Sequence, residues 1–156
     1  MFGNYHKRVL TNYWIIGRTY HKYQKYDSSL YYFQRALYCN SKDVDTLDYA
    51  TNPVDVFNAD KRLPEIIARK LASLITIKQQ ALSCDSLQSI NRLIVANCDY
   101  YGHCVEARLH NKTFMQDRLA VLKKEIRKYM LAGMDAAHAL YQDRQDTYYL
   151  EKALQF

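Results

Sequence analysis

Glycine and proline are scarce in this chain, four and two among 156 residues. That scarcity, with 13% aromatic residues, excludes a disordered or low-complexity chain and favours long uninterrupted secondary structure. No segment alternates with period two and no strand–helix–strand unit can be traced, so a sheet is excluded as well. The cysteines Cys39, Cys84, Cys98 and Cys104 form no CxxC pair. Neither a signal peptide nor an apolar run of about eighteen residues precedes them, which implies free thiols, a cytoplasmic location and no membrane. GxxxxGK[ST], GxGxxG and HExxH are all missing, so phosphate cradles and zincin chemistry lack support and no cofactor is expected.

Positive charge and tyrosine are what the chain does have. Its net charge is +6 and its pI about 9.1, which permits acidic peptides, nucleic acid or an anionic surface as partners. The basic residues are scattered and nowhere reach a run of five, the pattern of a solvated face more than of a nucleic-acid stripe. Asn111-Lys112-Thr113 fits a glycosylation sequon, but no secretory context goes with it. Seven of the fifteen tyrosines fall between residues 13 and 38, which raises the choice between a stacking surface and a packing code.

Helical periodicity organises the chain. From Val9 to Gln24, residues Leu10, Tyr13, Trp14, Ile16, Gly17, Tyr20 and Tyr23 recur at spacings of three and four, on one broad face. A tight turn at Lys25 to Asp27 leads to a second helix, with Asp27 and Ser28 as candidate caps and Leu30, Phe33, Ala36 and Leu37 on its apolar side. Residues 40–62 are polar, acid-rich and broken by Asn52-Pro53, and read as a long connector. Pro64 opens a third helix reaching about Leu82, and Asp85 is the candidate cap of a fourth that runs to about Leu109. A fifth, from Met115 to about Asp143, would span roughly 43 Å, with Gly133 inside it marking a close helix contact. Asp146 then starts a sixth. The expected fold is all-α: antiparallel helical hairpins stacked as an α-solenoid of about six helices.

Three segments share one design. In "YDSSLYYF", "CDSLQSI" and "QDTYYLEKA" an aspartate shortly precedes a leucine that opens an amphipathic helix. Leu30, Leu87 and Leu150 lie 57 and 63 residues apart, so the unit is a hairpin with variable connectors. The first unit resembles a tetratricopeptide repeat, with Tyr13, Ile16, Gly17 and Tyr20 on its first helix and Ser29, Phe33 and Ala36 on its second, in that family's register. Tyr26 matches the aromatic that closes the first helix. Ser29 stands where alanine is usual, and Ser41 where proline ends the repeat. Gly17 lets the second helix approach while Ser29 and Ala36 keep its facing side thin, and Tyr20 and Phe33 fill what remains.

The layout of residues 9–156 is similar to the repeat arrays that precede the caspase-like domain in CHAT-domain proteins, above all in the closing "ALYQDRQDTYYLEKALQF". The resemblance divides the chain into a hairpin at 1–42, an acidic connector at 43–62, a second hairpin at 63–110 and a third, truncated one at 111–156, all in one array. It implies a protein-interaction scaffold, the regulatory or sensor part of a CHAT-type system, with the peptidase absent from this sequence.

Candidate chemistry is thin. His103 and Cys104 adjoin, but neighbours on a helix point about 100° apart and cannot form a thiol–imidazole dyad with each other. A dyad of His138 with Cys98 stays open on sequence grounds, and Cys98, His103, Cys104 and His110 do not follow zinc spacing. The expectation is therefore a chain without a catalytic constellation and without a metal. Tetratricopeptide arrays line a groove with their first helices, which implies a peptide-binding set of Asn12, Arg18, Thr19, Lys22 and Lys70. Their positive members favour a ligand bearing carboxylates. The alternative is a basic helical nucleic-acid-binding module, and a thiol hydrolase is a third reading.

Overall fold

The computed structural model describes residues 3–40, 44–53, 62–81, 83–109 and 119–156. Among these residues six helices follow one another: α1 (Gly3–Lys22), α2 (Tyr26–Asn40), α3 (Leu63–Gln80), α4 (Cys84–Leu109), α5 (Leu119–Arg144) and α6 (Thr147–Gln155). No strand occurs among the described residues, so the chain is all-α as its periodicity implied. The expected helix between Met115 and Arg118, like Leu82 and much of the connector's second half, lies outside the described residues.

Helix ends depart from the sequence reading in instructive ways. α1 begins at Gly3, six residues before the apolar periodicity sets in; once a helix is nucleated, each further residue adds one hydrogen bond. Asp27 and Ser28 do not cap α2 from outside; they sit in its first turn, and the Ser29 N–H already bonds to Lys25 O at 3.0 Å. Asp85 likewise lies inside α4, and the acceptor for the Ser86 N–H is Ser83 Oγ at 3.2 Å. Asp146 does cap α6, its carboxylate accepting from the Tyr148 N–H at 3.0 Å. Pro64 falls in the first turn of α3, where its missing N–H costs nothing.

The two turns that close the first and third hairpins share a device. Gln24 and Gln145 both adopt positive φ, 60° and 55°, in the left-handed region where glycine is usual. At the first turn Gln24 N–H bonds to His21 O and Lys25 N–H to Tyr20 O, each at 3.0 Å, which satisfies the last carbonyls of α1.

Each helix packs chiefly on its neighbours in sequence. In the first hairpin Gly17 faces the Phe33 ring so closely that a Cβ there would stand 2.7 Å from two ring carbons. Ser29, Phe33 and Ala36 are fully buried, and Tyr20 stacks on Tyr32 with centroids 5.3 Å apart. Tyr13 tilts against the same Tyr32 ring, and Tyr26 meets His21 edge-on. Ile16 is half-buried. Gly133 does mark a close contact: a Cβ would lie 2.9 Å from Cys98 Cβ on α4 and 3.0 Å from the Phe156 ring.

Two side-chain bridges set the relation between hairpins. Arg62, just ahead of α3, donates to Thr11 Oγ1, and His21 Nδ1 meets Ser73 Oγ at 2.9 Å. The bridges are ten residues apart on α1 and eleven apart in the α3 segment, in the same chain direction, so α1 and α3 run parallel. Among the described residues α1 touches α3 and α3 touches α5, and on the other side the Lys152 Nζ–Asp99 Oδ1 ion pair at 2.6 Å joins α6 to α4. The first helices of the hairpins thus lie side by side on one side of the array, here called the inner side.

Candidate functional site

Helical geometry sorts the surface of α1. The residues that meet or border α3 are Thr11, Trp14, Arg18 and His21, a stripe at spacings of three and four. Arg18 lies over the Trp14 ring, 4.8 Å from its centroid, and Lys22 stands exposed beside this stripe. Asn12 and Thr19 are exposed too, but each sits about 100° further round the helix, away from α3. The fold thus brings Arg18 and Lys22 to the inner side and leaves Asn12 and Thr19 off it.

The inner side gains further cations from α3 and α5. Burial lowers the His21 pKa first, and Arg69 and Lys128 lower it further through their positive charge. One imidazole on α1 thus senses exposed cations on both later first helices. Ser29 Oγ donates to Gly17 O at 3.0 Å and touches Ser73 Oγ at 3.2 Å. The single Ser73 hydrogen faces two acceptors, Arg69 O and Ser29 Oγ, each at 3.2 Å, so the His21 contact is met by Nδ1–H donating to Ser73 Oγ. Neutral His21 then has its free nitrogen at Nε2.

Lys70 requires a correction. It was expected to be exposed in the groove; instead it is fully buried, with Nζ 3.5 Å from Asn52 Oδ1. Burial pulls its pKa down to about 7, and the charge of Asp48 opposes that only in part. The connector folds over this position, burying Val44 and Pro53. Gln34 on α2 fastens it: the Gln34 Nε2 amide lies 2.7, 2.9 and 3.0 Å from the carbonyl oxygens of Asp45, Asp48 and Thr51. Asn97 on α4 donates to Tyr49 O at 3.0 Å.

Gln34, Lys70 and Asn97 thus form a seat for the connector that was missed in the sequence. A signal was present. Gln34 falls in the stripe Leu30, Leu37; Lys70 in the stripe Ile66, Leu74; and Asn97 in the stripe Leu93, Tyr101. A polar residue in an apolar stripe is buried and needs a partner, and here all three find the same connector.

The thiol chemistry is placed as follows. Cys98 is buried, donates to Tyr129 O at 3.1 Å, and has its pKa pushed up to about 12 by burial and the nearby Asp99 charge. Its thiol is protonated at neutral pH, the opposite of an activated nucleophile. His138 is exposed. Cys104 is buried, while His103 is exposed and 3.8 Å from Glu106. His110 lies outside the described residues. No helix among the described residues is long and apolar enough to cross a membrane. No family model, no curated protein and no solved structure matches this chain.

Proposed function

We propose that this chain is a protein-interaction scaffold, a tetratricopeptide-type array of helical hairpins whose inner face receives a segment of a partner polypeptide. The observation that supports this reading is the parallel, side-by-side placement of α1 and α3, which leaves Arg18, Lys22 and Arg69 exposed, Arg18 resting on the Trp14 ring. A surface of this kind, with rigid helices beneath and polar side chains free above, suits an extended peptide or a helix. A regulatory place beside a CHAT-type peptidase rests on the sequence layout alone. Its test is whether the reading frame continues past Phe156 into a caspase-like domain.

Panning a random peptide library on the folded chain tests the scaffold reading. Enriched peptides should lose binding to a chain carrying Arg18→Glu and Arg69→Glu. A library that yields no enriched peptide, or peptides indifferent to those substitutions, overturns it.

A further inference from the structure

Charge divides between the two sets of helices. α1 carries Lys7, Arg8, Arg18 and Lys22 and no carboxylate at all. α3 has Arg69 and Lys78 against Glu65, its third basic residue Lys70 being buried under the connector, and α5 has five cations against three carboxylates. The second helices hold none of this excess: α2 and α6 have one charge of each sign, and α4 has two cations against three carboxylates. The chain's positive charge is therefore concentrated on the helices that line the inner side.

We propose that the inner face of α1, α3 and α5, centred between Arg18, Arg69 and Lys128, docks an acidic polypeptide segment. This rests on the scaffold reading above and names its partner. Charge complementarity selects the partner: Arg18, Arg69 and Lys128 are exposed, with Arg18 resting on the Trp14 ring and Lys128 over Tyr129. None of the three is ion-paired with a carboxylate among the described residues, so a row of carboxylates would neutralise them. A polypeptide fits better than a nucleic acid because the face is mixed. Glu65 lies one turn from Arg69 on α3, and Glu125 is close enough to raise the Tyr129 pKa. A peptide can place apolar or donor side chains beside the two glutamates.

His21 makes docking proton-linked. The groups around it are Ser73 and Arg69 on α3, Lys128 on α5, Tyr26 at the start of α2, and Arg18 and Lys22 on its own helix. Burial opposes its protonation in the free chain, and the two facing cations add to that. Carboxylates laid across Arg69 and Lys128 cancel the cations' share, so the complex takes up a proton and binding tightens as pH falls toward 6.

Trp14 is the chain's single tryptophan, and Arg18 lies over its ring, so its emission reports on this face. The experiment uses three tryptophan-free probes on the full chain: an Asp/Glu-rich peptide library, the same library with Asn/Gln in place of the acids, and a single-stranded oligonucleotide. The expected result is Trp14 emission change and enrichment with the acidic library alone. Affinity should fall by about tenfold or more in Arg69→Glu/Lys128→Glu, whose helix content is checked by circular dichroism. Arg69→Gln/Lys128→Gln should lie in between. Affinity should rise between pH 8 and pH 6 in the parent chain and stay flat in His21→Gln. Equal enrichment of both libraries overturns the acidic partner while leaving the scaffold intact. Tighter binding by the oligonucleotide overturns it in favour of nucleic acid, and no enrichment from either library overturns both.

Discussion

The first and last hairpins use similar residues and bury them very differently. α2 and α6 are both rich in tyrosine and leucine, yet α2 buries six side chains and α6 buries none. Leu154 on α6 is 81% exposed, while Leu37 on α2 is fully buried. α2 lies between α1 and α3; among the described residues α6 packs on α5 and reaches α4 through the Lys152–Asp99 ion pair. Burial here is set by how many neighbours a helix has in the array, and only secondarily by its own apolar pattern.

Truncating the matching rings gives the largest test of that contrast. Phe33→Ala should cost about 3–5 kcal/mol by urea denaturation, the range for a fully buried phenylalanine. Phe156→Ala should cost far less, because Phe156 is only partly buried. Equal losses would mean that the last hairpin is as well packed as the first. Between the two hairpins, Lys70→Met should stabilise the fold by about 1–4 kcal/mol, since it replaces a buried, poorly partnered amine with an apolar chain of similar length. Lys70 holds its proton up to about pH 7 in the folded chain and up to 10.5 as an ordinary lysine. The unfolded chain therefore binds more protons between those values, stability rises with pH across that window, and Lys70→Met should abolish the rise.

The glycines sharpen the comparison at smaller scale. Gly17→Ala and Gly133→Ala should each destabilise by about 1–3 kcal/mol, the overpacking cost exceeding the helix propensity gained, as read by thermal melts. Smallest are the turns. Gln24→Gly and Gln145→Gly should each raise stability by about 1 kcal/mol, because glycine carries no Cβ penalty at positive φ. A gain at Gln24 alone would show that the last turn adjusts freely.

The first hairpin was legible because its code is local. Gly17, Ser29, Phe33 and Ala36 lie within one helical pair, and spacing alone says that they meet. Lys70 was not legible as a buried residue because what covers it is the connector, and a charge on a helix reads as solvent-facing until its stripe is checked. The caps were half legible. Asp146 was found, whereas Ser83 was passed over for Asp85 because both residue types cap well and a two-residue shift leaves the pattern unchanged. Gln24 and Gln145 gave no signal, since the turn signature is written for glycine and asparagine. On the inner face Arg18 and Lys22 were legible as candidates, but Arg69 joins them only through the parallel placement of α1 and α3.

The grip of Gln34 on the connector has a consequence for proteolysis. A protease needs a stretch of chain it can draw into an extended conformation, and a long acidic loop would ordinarily supply one. From Asp45 to Thr51 three carbonyls converge on one buried amide and share its two hydrogens, so this stretch behaves toward a protease as folded backbone. Gln34→Leu keeps the stripe apolar but frees those carbonyls, and should turn residues 45–51 into the first site of nicking.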